Sequence, residues 1–199
     1  MRRKETSDLA ILAMFVATLT VLAVVNTFAM AWWPFPIRPT ILQVPVIIAS
    51  IVLGPKLGGI VGFWWGINST VLASTLAPSF LFSPVVPVVG TQTPSIWGLF
   101  IAVVPRIFVG ILPYFVYRLF HQHKKISRIG LTITGAIGSM INTVFVLSAI
   151  YWIFGNVLDW TLQTLLASVV ATNSLAEAVI SAILVAAVTP TLLKVYKRV

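Results

Sequence analysis

Arg106 stands where a charge is hardest to keep. It lies near the middle of VVPRIFVG, residues 103–110, inside a long apolar run. An arginine at the centre of a membrane helix costs roughly 2.5–3.5 kcal/mol on insertion scales. Each end of its run is about 11 residues away at ~1.5 Å per residue, too far for the side chain to snorkel. It must therefore face protein, water or a ligand. A guanidinium offers two parallel donors that match a carboxylate, so the chemistry it suggests is capture of a small polar anion.

Other polar residues fall at a similar depth. Glu177 is the candidate counter-charge in the apolar runs, with Asn173 one turn before it on the same face. Asn142, Trp64, Trp65, Asn68 and Gln43 come from other runs, and Trp64 and Asn68 share a face at i, i+4. Counted from the basic ends, all lie between mid-membrane and the outer third. Two roles fit such a cluster. One is an internal Arg106–Glu177 ion pair, since buried charges normally pair, with amides bonding between helices. The other is a binding site, with amides for hydroxyls and amide groups and Trp faces for aliphatic parts. The two are compatible if Glu177 orients Arg106 in the empty site. Ala102 and Gly110, one turn either side of Arg106, admit another backbone or a guest, and Pro105 and Pro113 free carbonyls inside the bundle.

Membrane helices must position these groups. The chain is 59% hydrophobic and 9% charged, with mean hydropathy +1.04, against about 25% charged in soluble domains. Six spans are expected, packed as one all-α domain over 1–199: Asp8–Met30, Ile37–Leu53, Lys56–Thr75, Ser95–Arg118, Ile129–Phe154, and one ending near Lys194. The second contains Pro39 and Pro45. The segment from Trp160 to the sixth is too long for one perpendicular span, so part tilts or lies at the interface. The N-terminus has a basic start and an Ala29-Met30-Ala31 site like a signal peptide. Its apolar run is longer than the usual ~7–15 residues, which favours a retained first helix.

The net charge of +9 does not point to nucleic acid, because the charges cluster at the ends of apolar runs. With the N-terminus inside, Arg2, Arg3, Lys4, Lys56, Arg118, Lys124, Lys125, Arg128, Lys194, Lys197 and Arg198 are internal, and Arg38 alone is external. That bias predicts both termini in the cytoplasm. The outer loop LAPSFLFSPVVPVVGTQTP, with Trp32, Trp33, Phe80 and Phe82 nearby, reads as an interfacial anchor, a lid, or both. The inner loop RLFHQHKKISR reads as a topology signal at anionic lipid. His121 and His123 lack acidic or Cys neighbours, so no metal is expected there.

On the first helix, Ala10, Ala13, Ala17 and Thr20 form a small-residue stripe, with Ala13 and Ala17 four apart. Such stripes pack helices closely in lipid, either within the chain or against another subunit. No P-loop and no H-E-x-x-H motif is present, so the chain alone does not hydrolyse ATP in the P-loop manner. There is no cysteine to build a disulfide, a nucleophile or a thiolate metal site, and no cofactor is expected. No clear inverted repeat of the carrier type is visible.

Several stretches together resemble a known family: PVIIASIVLGPKLGGIVGFWWG, FSPVV, AVVPRIFVG, GSMINTVFVLSAIY and NSLAEAVISAIL. They are similar to the S components, the substrate-binding membrane subunits of energy-coupling factor (ECF) vitamin transporters, over essentially the whole chain. Within the family the pattern looks most like the pantothenate-type subunits. The resemblance implies a non-enzymatic, multi-pass subunit of a prokaryotic cell membrane. Such a subunit captures a vitamin outside and closes loops over it. It then topples in the bilayer with a transmembrane coupling subunit and two cytoplasmic ATPases, and Ala13 and Ala17 would dock on the coupling subunit. Pantothenate would place its carboxylate on Arg106, its polar groups on Asn142, Asn68 and Gln43, and its apolar face on Trp64 or Trp65. Asn173 and Glu177 complete the candidate set.

Thiamine, a cation, does not suit a central arginine. Riboflavin and biotin stay open, and folate, a larger dianion, would want more cations. Outside the family, a proton-coupled carrier would use Glu177 as its titrating group. An intramembrane enzyme, or a scaffold with a purely structural ion pair, is the remaining alternative.

Overall fold

The structure is a computed structural model of the 199-residue chain, and it describes residues 2–29, 31, 40–88, 92–120, 127–158, 164 and 173–196. Among these residues the regular elements are six α-helices: α1 (Arg2–Ala29), α2 (Gln43–Leu53), α3 (Pro55–Thr75), α4 (Trp97–Phe120), α5 (Arg128–Leu158) and α6 (Leu175–Tyr196). Helices are the expected solution in hydrocarbon, where each backbone N–H and C=O must be satisfied within its own segment. Four stretches are long and apolar enough to cross a bilayer: Thr6–Ala29, Trp97–Phe120, Arg128–Asn156 and Leu175–Tyr196. Tyr196 Oη donates to Asp8 Oδ1 at 2.9 Å, so the start of α1 and the end of α6 lie at the same end of the bundle. Trp32, Trp33, Arg38, His121, His123 and the segment from Trp160 to α6, apart from residues 164, 173 and 174, lie outside the described residues.

The short helix α2 is the core. Its 11 residues reach only about 16 Å at ~1.5 Å each, half of the ~30 Å hydrocarbon layer. It packs against the other five helices and buries Val46, Ile47, Ile48, Ala49, Ile51 and Val52. It begins later than the sequence suggests: Thr40–Leu42 are not helical, and Leu42 is the N-cap. Pro45 therefore falls in the first turn, where its missing N–H breaks no helical hydrogen bond. At the other end Gly54 takes φ 87°, a conformation that favours glycine. Pro55 then starts α3, which runs back so that Gly58 meets Ser50.

Helices α3 and α4 lie antiparallel at the closest approach in the bundle. Gly58, Gly62 and Gly66, spaced four apart, face Gly110, Arg106 and Ala102–Val103 in turn. A Cβ on Gly62 would collide with the carbonyl oxygen of Arg106, and one on Gly110 with that of Gly58. Ala102 and Gly110 thus admit a neighbouring backbone. The contact also anchors Arg106 by its main chain.

The loop after α3 is seated in the bundle. Ser83 is fully buried and its Oγ lies 2.7 Å from Ser74 Oγ. The same oxygen accepts the Val85 and Val86 N–H groups at 3.2 Å each. Gly98, with no side chain, sits on the Ser83 and Phe80 carbonyls. Leu81 and Val88 join Ile101, Val146, Leu147, Ile150 and Phe154 in a second apolar cluster. The loop is therefore a packed wall of the bundle.

Candidate functional site

A cavity of about 470 Å³ opens between α1, α3, α4, α5, the start of α6 and the loop after α3. Small-molecule sites usually hold about 300–1,000 Å³. Its wall brings together five of the residues singled out in the sequence: Arg106, Trp65, Asn142, Asn173 and Glu177.

Arg106 is 6% exposed and holds a defined pose. Its guanidinium carbon lies 5.2 Å from the Trp65 ring centre and 4.8 Å from that of Phe82, so two aromatic rings grip it. Nη1 donates to the Ile101 carbonyl at 2.7 Å. The reason lies in the backbone. The Ile101 carbonyl would normally accept from residue 105, but that residue is proline and has no N–H. The arginine side chain supplies the donor that Pro105 removes. Nε has no hydrogen-bond partner. Nε and Nη2 form the edge that receives a carboxylate through two parallel hydrogen bonds, and that edge is not the one spent on Ile101.

Glu177 does not take this edge. Its described partners are the Thr40 N–H, which donates to Oε1 at 2.8 Å, and the Gln43 amide, 3.4 Å from Oε2. The direct Arg106–Glu177 hydrogen bond expected of two buried charges is absent among the described contacts. Gln43 is fully buried behind the cavity wall. Its Nε2 also donates to Ser139 Oγ at 2.7 Å and Ser181 Oγ at 3.2 Å, and its Oε1 accepts from Asn142 Nδ2 at 3.3 Å. Asn142 Oδ1 is left without a partner.

Trp64 and Asn68 are not brought to the cavity. The Trp64 indole N–H donates to Thr20 Oγ1 on α1 at 2.9 Å, and Asn68 Nδ2 donates to the Trp64 carbonyl at 3.0 Å. The glycine stripe explains this. Residues two apart on a helix point about 200° apart at ~3.6 residues per turn. With Gly62 and Gly66 on α4, Trp64 and Asn68 must face away. Trp65 lies on the flank instead, and Ser69 and Ala73 extend its row along the cavity. Ser69, Thr40, Thr143 and Phe82 also line the cavity without having been singled out as site residues. Ser69 was legible as the i+4 neighbour of Trp65, whereas Thr40 and Phe82 arrive from loops, whose paths no periodicity reveals. On α1, Ala10, Ala13 and Ala17 are exposed, so no described residue of this chain covers that side of the stripe. Among the described residues no group of His and acidic side chains could hold a metal ion.

Comparison with known proteins places this architecture. The model of the ECF transporter substrate-specific component matches residues 7–193. The chain belongs to that family. S components of ECF transporters bind a vitamin substrate and work with an ECF module. This S component is accordingly a transport protein, not an enzyme, and a multi-pass protein of the bacterial cell membrane. It is 47% identical over 196 residues to the "Pantothenic acid transporter PanT" of Lactococcus lactis subsp. cremoris, covering 98% of this chain and 97% of that protein. It is 29% identical over 170 residues to the "Pantothenate transporter PanT" of Leuconostoc mesenteroides subsp. mesenteroides, covering 81% of this chain and 78% of that protein.

Proposed function

We propose that this S component captures pantothenate outside the cell and delivers it inward as part of an ATP-driven ECF importer. The observation that carries it is the unpartnered Nε of a buried arginine on a cavity wall, in a chain whose relatives are named for pantothenate transport. The vitamin carries a carboxylate, an amide, two hydroxyls and a gem-dimethyl group. Its carboxylate binds the free edge of Arg106, and its apolar part lies against Trp65 and Phe82. Asn142, Asn173 and Glu177 serve the polar remainder, while Gln43 acts from behind the wall. Trp64 and Asn68 brace α1 and α3 and stay out of the site.

The whole chain forms one domain that crosses the bilayer six times with both termini in the cytoplasm. The positive-inside bias and the Asp8–Tyr196 contact support that orientation. The short α2 reaches only part-way across. A transmembrane coupling subunit docks on the exposed Ala13–Ala17 side of α1, and two cytoplasmic ATPases supply the energy.

Mass spectrometry of the small molecules that copurify with the full chain tests the substrate, together with titration of pantothenate, riboflavin, biotin and folate. Pantothenate alone is expected to copurify and to bind. Tight binding of another vitamin, with none of pantothenate, would overturn the assignment.

A further inference from the structure

Glu177, Gln43 and Asn142 form a chain of hydrogen bonds with a fixed direction. Both Glu177 oxygens accept, one from the Thr40 N–H and one from the Gln43 amide. The Gln43 amide turns its NH2 toward these acceptor oxygens. Ser139 and Ser181, on α5 and α6, hold the same NH2 group. Gln43 Oε1 then faces Asn142 and accepts from the Asn142 NH2. Asn142, a residue of the cavity wall, keeps its carbonyl oxygen buried and unpartnered. Glu177, as an acceptor, thus sets the polarity of a side chain that it does not touch in any described contact. The cavity wall carries groups of two unlike kinds: a cationic donor at Arg106, and acceptors at Asn142 and Glu177.

We propose that this polarity orients the ligand and selects it. The carboxylate lies on Arg106, and a hydroxyl hydrogen at the other end is read by the Asn142 carbonyl, with Glu177 and Gln43 as positioning residues. The inference rests on the pantothenate reading and adds the direction in which the vitamin lies. It also gives Glu177 a role that a site for an anion otherwise makes awkward: it rejects negative charge or bare acceptors at the hydroxyl end. A ligand phosphorylated on its terminal hydroxyl would present oxygen acceptors and charge to that wall, and is excluded.

Binding of three probes to the purified full chain tests this: pantothenate, its analogue with the terminal hydroxyl replaced by hydrogen, and its analogue with the carboxylate replaced by a primary alcohol. In the unaltered protein the deoxy analogue binds about ten-fold more weakly, the value of one buried hydrogen bond near 1.4 kcal/mol. In Asn142→Ala that penalty falls below about two-fold, while the penalty for losing the carboxylate persists. Glu177→Gln, which lets the Gln43 amide turn over, reduces the hydroxyl penalty in the same way and leaves the carboxylate penalty intact. A merely structural role would weaken all three ligands together and leave both ratios unchanged, which would overturn the proposal. So would loss of the carboxylate penalty in place of the hydroxyl penalty. In either case pantothenate still binds the unaltered protein and only the orientation fails. If pantothenate does not bind at all, the functional reading itself has failed.

Discussion

Gly62 carries the Arg106 backbone, and replacing it with alanine tests whether helix contact positions the guanidinium. The new Cβ would meet the Arg106 carbonyl oxygen, with the Arg106 carbonyl carbon at 2.9 Å and Ile107 Cα at 3.2 Å. These are main-chain atoms and cannot rotate away, so α3 and α4 must part by roughly an ångström or more to reach ordinary contact. Overpacking of this kind costs about 1–3 kcal/mol, offset by up to about 1 kcal/mol from the better helix propensity of alanine. The net expectation for Gly62→Ala is a loss of about 1–2 kcal/mol. Affinity for pantothenate should fall by about ten-fold, because the guanidinium moves with its backbone while Trp65 and Phe82 do not move equally. Gly59→Ala is the control on the same helix. Its Cβ would meet only the Ile111 side chain, at 3.2 and 3.5 Å, which can give way. That variant should melt at or slightly above the parent temperature and bind normally. Thermal melting and calorimetric titration in detergent read both quantities. Equal behaviour of the two variants would refute the account of how α3 positions Arg106.

Other outcomes follow from single contacts. Pro105→Ala restores an N–H for the Ile101 carbonyl, so the helix should melt higher while binding weakens about ten-fold, as Arg106 loses its tether near 1.4 kcal/mol; unchanged affinity would show that the tether does not matter. Trp64→Phe removes the bond to Thr20 and should cost about 1 kcal/mol without changing affinity, whereas Trp65→Ala should weaken binding strongly; the reverse order in calorimetry would place the wrong indole in the site. Leucine at both Ala13 and Ala17 should leave binding by the isolated chain intact and stop vitamin uptake by cells; normal uptake would remove that side of α1 from subunit docking.

Much of the bundle was legible because lipid enforces a simple grammar. The apolar runs marked α3 and α4 closely, and the depth of Arg106, Asn142, Asn173 and Glu177 foretold that they meet. Helix phase was harder. Trp64 and Asn68 form as good an i, i+4 pair as Trp65 and Ser69, and depth alone cannot separate two faces. The Gly58, Gly62, Gly66 stripe separates them, but only once it is taken as the α4 contact. The start of α2 was placed too early because Pro45 looked like an interior proline when it belongs to a first turn. The Arg106–Glu177 pair, one of the two readings the sequence left open, is not a direct contact among the described residues. Pro105 creates a competing acceptor in the Ile101 carbonyl, and Thr40 and Gln43 occupy the carboxylate. Such competition depends on tertiary placement, which residue spacing does not encode.

The central claim is that the free edge of Arg106 holds the carboxylate of the vitamin. The most direct measurement compares the affinity of pantothenate with that of its neutral alcohol analogue, in the unaltered chain and in Arg106→Met, with melting recorded for both. The unaltered chain should prefer the carboxylate by about 100-fold or more, from charge-assisted hydrogen bonds worth about 3 kcal/mol. In a folded Arg106→Met chain that preference should vanish or reverse. A preference for the carboxylate that survives the loss of Arg106 would contradict the account.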